Sequence, residues 1–140
     1  AVLMAVTLGA EVDRTINRSQ VTNMAAALMI DACASAAIEN VCDNLCADIE
    51  MQLGKYLTDR FSPGYGDMPL EQQSLLCNVL ETDKRIGLSV TKSGLLTPLK
   101  SVTAIVGLSD KKQTKRFRGC AYCGMFSNCT FRKESRYCGK

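Results

Sequence analysis

The sequence contains no histidine and no tryptophan, and only three prolines in 140 residues. Without histidine there is no Ser-His-Asp triad, no Cys-His pair and no His-containing metal site, which argues against a conventional hydrolase. No apolar run approaches the roughly 20 residues that a membrane-spanning helix requires, so no membrane partner is expected. No basic region followed by a long apolar core, the pattern of a secretory signal, stands at the start. What is present is ordinary for a globular chain: 46% hydrophobic and 22% charged residues. A domain of this size buries roughly 70% of its unfolded surface without needing staples. The chain opens on Ala1 in an apolar run to Leu8, read as a strand whose preceding residues are cut away. The expectation is therefore an N-terminally incomplete fragment. Its sheet is open to completion by a partner strand, so a homo-oligomer is one of the states allowed.

The net charge of +3 conceals two opposed halves. Residues 1–110 carry 8 basic and 13 acidic side chains, whereas residues 111–140 carry 9 basic ones against Glu134 alone. The expected organisation is a body over 1–110 and a basic tail over 111–140. Such a tail attracts nucleic acid, an acidic protein or an anionic ligand. With only Phe117 inside the basic run, nucleic acid is weakly signalled. The eight cysteines divide in the same way, Cys33, Cys42, Cys46 and Cys77 in the body and Cys120, Cys123, Cys129 and Cys138 in the tail. A chain with enough apolar material for a core does not need disulfides, so a reducing, cytoplasmic setting is expected.

Val2 to Thr7 reads as a buried strand. From about Ser19 to Tyr56, apolar residues recur at intervals of three and four, among them Val21, Met24, Leu28, Ile38, Leu45, Ile49 and Leu53. That is a helix with one buried stripe, rich in Ala and free of Pro. Unbroken, it would exceed 50 Å, so either a break or an elongated body is expected. Cys42 and Cys46 share a face of it, most simply as small buried side chains. After a Pro- and Gly-rich loop, Asp67 reads as the N-cap and Pro69 as the first turn of a helix running to about Ile86, with Leu75, Leu76, Val79 and Leu80 inward and Gly87 as its stop. Leu88–Thr91 and Ser101–Leu108 read as strands. The order predicts an α+β fold, long helices packed against one face of a twisted, mainly antiparallel sheet.

The loop from Arg60 to Asp67 is the candidate ligand site. Gly64 and Gly66 let backbone amides approach a ligand, Tyr65 offers an aromatic face and Arg60 a fixed cationic fork. The helix start that follows adds partial positive charge. An ordinary structural turn explains the same residues equally well.

Arg60-x-x-Pro63-Gly64-Tyr65 resembles the R-x-x-P-G-Y signature of the activation domain of cobalamin-dependent methionine synthase. The surroundings are similar in order: Ala5-Val6-Thr7-Leu8-Gly9 at the first strand end, then Gly87-Leu88-x-x-Thr91-x-Ser93, then Pro98-x-x-Ser101-Val102-Thr103. The likeness spans about residues 2–109. It implies that Arg60, Pro63, Gly64 and Tyr65 line a site for S-adenosylmethionine, largely through backbone contacts and the tyrosine ring. It also implies reductive methylation of a corrinoid, cobalamin, held by a corrinoid-binding partner or other methionine synthase modules. The chain would then be a component of a methyltransferase activity in methionine biosynthesis, with no catalytic acid or base of its own. It departs from methionine synthases at Gly66-Asp67-Met68-Pro69, where they have Pro-Ala-Cys-Pro. The Cys-rich tail is similar to that of stand-alone bacterial relatives. The alternatives are a scaffold domain with a vestigial ligand loop and nucleic-acid binding through the tail.

Cys120, Cys123, Cys129 and Cys138, spaced C-x2-C-x5-C-x8-C, offer four thiolates to a metal. Neighbouring Arg118, Arg132, Lys133 and Arg136 would favour thiolate. An iron–sulfur cluster, suited to a reductive step, and structural zinc are both open, with two disulfides a third reading.

Overall fold

The structure, a computed structural model, describes residues 1–112. Ten elements follow in order: β1 (Val2–Thr7), α1 (Ala10–Thr22), α2 (Met24–Leu53), β2 (Tyr56–Leu57), α3 (Gln72–Leu80), α4 (Thr82–Ile86), β3 (Ser89–Val90), β4 (Leu96–Thr97), β5 (Ser101–Val106) and β6 (Leu108–Ser109). The mixture of helices and antiparallel strand pairs is an α+β arrangement.

The centre is the antiparallel pair β1–β5, in register from Val2 opposite Val106 to Thr7 opposite Ser101. The other edge of β5 is also used. Phe61 and Ile105 exchange two backbone hydrogen bonds, and Thr58 N donates to Gly107 O. Where the chain continues into β6 it pairs with β2. Strand alternation then divides the side chains between two faces. Met4, Val6, Ala104 and Val106 pack with Ile38 and Cys42 of α2 and with Leu57, forming the buried core. On the opposite face, buried Thr103 accepts a hydrogen bond of 2.5 Å from Gln73 Nε2 of α3. Helices therefore cover both faces of the central pair, not the single face expected. The reason is that α3 hides polar Gln73 and Thr103 together, a contact that hydrophobic periodicity does not reveal.

The long helical stretch breaks once, at Asn23. Its backbone is extended (φ −157°), and its side chain accepts a hydrogen bond from Ala26 N at 3.1 Å, capping α2. The segment ahead of the break is the helix α1. Even so, α2 keeps 30 residues, about 45 Å. Ala-rich composition and the lack of interior Gly or Pro sustain it. It stops at Gly54 (φ 60°), whose N–H bonds back to Glu50 O. By length and composition alone α2 is long and apolar enough to cross a membrane. The sequence reading missed this because Asp31, Ser35 and Glu39 interrupt every apolar run, while the helix average stays apolar.

The second helical region differs from expectation in two ways. Asp67 is not an N-cap: α3 begins five residues later at Gln72, and residues 62–68 form turns instead. Glu81, in the left-handed region (φ 51°), then divides the expected helix into α3 and α4. Of the apolar residues expected inside, Leu76 is buried, but Leu75 and Val79 are 59% and 60% exposed and Cys77 is buried instead. The buried face of α3 is the one that carries Gln73, Leu76 and Cys77, with Gln73 bonded to Thr103 of the sheet. Gly87 (φ 66°) does end α4 as read.

Candidate functional site

Arg60 leaves the sheet edge beside the Phe61–Ile105 bridge, and its guanidinium turns toward α2. Nη2 lies 2.6 Å from Glu39 Oε2 and Nη1 lies 2.7 Å from Asp43 Oδ1. Glu39 and Asp43 are four residues apart on α2, so their carboxylates share a face and need a cation between them. The planar fork of arginine supplies it to both at once. Burial would lower the Arg60 pKa. Hydrogen bonding to Asp43 and to Cys46, with the nearby acidic charge, more than reverses that and holds it above the usual arginine range. Arg60 thus fastens the candidate loop to the long helix.

Under this clamp lies Cys42, fully buried. Burial pushes its thiol from 9.0 up to about 11, against a weaker downward pull from Arg60. Because the folded pKa exceeds the unfolded one, the protonated thiol's contribution is complete below about 9 and is lost as pH rises through about 11. Chemical denaturation across this window is expected to show a loss of stability that Cys42→Ala reduces. An identical alkaline slope in the variant would overturn the assignment. Cys33, Cys42, Cys46 and Cys77 are all free thiols.

Beyond Arg60 the loop is a compact series of turns. Gly64 N donates to Met68 O, Tyr65 N to Ser62 O and Met68 N to Tyr65 O. Gly64 (φ 88°) and Gly66 (φ 58°) both occupy conformations that side chains rarely adopt. A Cβ on Gly66 would also sit 3.0 Å from the Phe61 ring. Pro63 is buried, and Tyr65 stands 71% exposed between the two glycines. The glycines serve chain reversal, and the Gly64 and Tyr65 amides are already bonded within the loop.

The fold brings one of the other motif segments toward this loop and joins the remaining two to each other. Leu70 reaches from the loop to the β3–β4 turn: a Cβ on Gly64 would meet its Cδ1 at 3.4 Å and one on Gly94 its Cγ at 2.9 Å. That turn is closed by Thr91, whose hydroxyl bonds Ser93 Oγ and accepts from Leu95 N. The first-strand end and the Pro98–Ser101 passage form one hydrogen-bonded chain. Gly9 N donates to Thr7 Oγ1, Thr7 and Ser101 share a hydroxyl contact of 2.8 Å, and Ser101 lies 2.6 Å from Pro98 O. Glu39 and Asp43 are the participants that sequence reasoning missed. Their four-residue spacing on one helix face was a visible signal, but their partner was not.

Two depressions lie elsewhere. An open one of about 490 Å³ is lined by α3, α4 and β3, including Asn78, Glu81 and Lys84. A smaller one of about 130 Å³ lies between α1, α2 and Leu99–Lys100. Neither includes Arg60, Pro63, Gly64 or Tyr65. Among the described residues no group of three or more Cys, Asp or Glu is placed to hold a metal. The tail cysteines Cys120, Cys123, Cys129 and Cys138 lie outside the described residues. The chain matches no family model and no curated protein.

Proposed function

We propose that the chain binds S-adenosylmethionine at the 60–65 loop and supports reductive methylation of a corrinoid carried by a partner, in an activation domain-like fold. The observation that carries the reading is Tyr65, an exposed ring set between two left-handed glycines in a loop anchored at both ends. Arg60 anchors one end on α2, and Leu70 packs the other toward the Thr91–Gly94 turn. An aromatic face of this kind attracts a sulfonium cation, with the strongest attraction where water is excluded. When bound, the corrinoid supplies the metal-centred chemistry that accepts the methyl group. In this reading Tyr65 and Gly64 meet the donor, buried Pro63 supports them from below, and Arg60 positions the loop through Glu39 and Asp43. No described side chain has to move a proton, in keeping with the absence of histidine.

Calorimetric titration of S-adenosylmethionine into the anaerobic protein tests this. Saturable binding is expected, weakened about tenfold by Tyr65→Ala, an effect on the scale of one lost cation–π contact. Failure of the unaltered chain to bind would overturn the reading. A scaffold domain that retains the loop as a structural turn would then take its place. The internal pairing of Arg60 and of the loop amides favours that second reading.

A further inference from the structure

Helix α2 carries five carboxylates, Asp31, Glu39, Asp43, Asp48 and Glu50, and not one lysine or arginine. Two cations from elsewhere answer three of them: Lys100 pairs with Asp31, and Arg60 with Glu39 and Asp43. The last two turns are different. Asp48 is exposed with no cationic partner among the described residues, and Glu50 spends one oxygen on Leu57 N at 2.7 Å. No basic residue occupies the final turn. Within the helix nothing offsets the negative end of the dipole, which adds to the carboxylates, and Lys55 just past the terminus is paired with Asp110. The same end shows apolar surface, with Met51 76%, Leu53 49% and Tyr56 44% exposed.

The described chain ends beside this surface. β6 pairs with β2, which begins three residues after α2, and Asp110 forms an ion pair with Lys55 just past the helix terminus. The sequence that follows is the strongly basic one. Residues 113–140 hold seven lysines and arginines against Glu134, and five of the chain's eight aromatic residues. Lys115, Arg116 and Arg118 lie three to six residues past Lys112, within about 20 Å of extended chain. Asp48 is only about 8 Å along the helix from Leu53. An acidic, apolar helix end and a basic, aromatic-rich sequence are thus joined by a short tether.

We propose that the C-terminal end of α2, around Asp48, Glu50 and Met51, is the docking surface for the chain's own basic segment Lys115–Arg118. This occupancy offsets the helix dipole and covers the apolar patch, and it is independent of the ligand reading at the 60–65 loop. Two measurements on the full-length chain test it. The first is zero-length carbodiimide cross-linking of an equal mixture of 14N- and 15N-labelled protein, mapped by mass spectrometry. Lys115 is expected to couple to Asp48 or Glu50 within single chains. Couplings found only between differently labelled chains would assign the surface to a second copy, and absence of any Lys115 coupling to α2 would remove the tail as occupant. Either result overturns the proposal. The second is hydrogen exchange of residues 47–53 in the triple variant Lys115→Glu, Arg116→Glu, Arg118→Glu. Exchange there is expected to accelerate about fivefold at low salt, the combined effect of several exposed charge contacts, with no change in β1 or β5. Unchanged exchange over 47–53 would overturn the proposal as well.

Discussion

Replacing Arg60 with alanine is expected to destabilise the fold by about 2–3 kcal/mol before any ligand is added, measured by urea denaturation. The Arg60 side chain is only 15% exposed, and both ends of its fork are occupied by carboxylates. Removing it leaves Glu39 and Asp43 as like charges on one helix face, above the buried Cys42. The partners are 60% and 45% exposed, so water screens part of the loss, and the value lies below that for a fully buried pair. Adding Glu39→Gln and Asp43→Asn to Arg60→Ala is expected to recover part of the stability, because the stranded charges go with the cation. An Arg60→Ala variant as stable as the parent would show that the clamp contributes nothing. The result bears directly on function. Lost ligand binding in Arg60→Ala reports on loop anchorage, whereas the exposed Tyr65 tests the loop surface at a cost to stability within about 0.5 kcal/mol.

Leu88→Ala is expected to be the costlier change, about 3 kcal/mol by the same measurement. Leu88 is completely buried, and its backbone is held from both sides by buried Thr82. Leu88 N donates to Thr82 O at 3.2 Å, and Thr82 Oγ1 donates to Leu88 O at 2.7 Å. These contacts keep the backbone in place when the side chain is shortened, so the site cannot collapse to fill the space. A cavity therefore adds to the lost burial. A cost below about 1 kcal/mol would mean that the α4–β3 corner repacks freely. The turn that follows β3 faces Leu70 and the candidate loop, so looser packing at Leu88 is expected to reach the ligand site as well.

Local chemistry made several parts of the fold legible. Val2–Thr7 is apolar at five of six positions, with β-branched Val2, Val6 and Thr7, and is a strand as read. Gly87 ends a helix because its left-handed conformation is inexpensive only for glycine. The long helix is real and breaks at Asn23, but its buried stripe is only partly the one read. Ile38 and Cys42 are buried, whereas Val21, Met24 and Leu28 are exposed and Ala27 and Ala34 are buried instead. The failures share a physical cause. Asp67 has the chemistry of a cap, but the turns closed by Gly64 and Met68 occupy that stretch and delay α3. Leu75 and Val79 have the right character for a core, yet the face of α3 that meets the sheet is the one carrying Gln73, and they lie off it. Gln73 and Thr103 look like surface residues until each is seen to satisfy the other.

By itself the sequence determined the first strand, the long Ala-rich helix, the opposed charges of body and tail, the exclusion of histidine chemistry, and a Gly-rich loop carrying Tyr65. All of these depend on the intrinsic properties of residues within a few positions of each other. Only the tertiary structure decided what the arginine at the head of that loop does. Its carboxylate partners lie 21 and 17 residues earlier, on a different element. A guanidinium binds whichever anions the fold brings within hydrogen-bond distance, and here those anions are the protein's own.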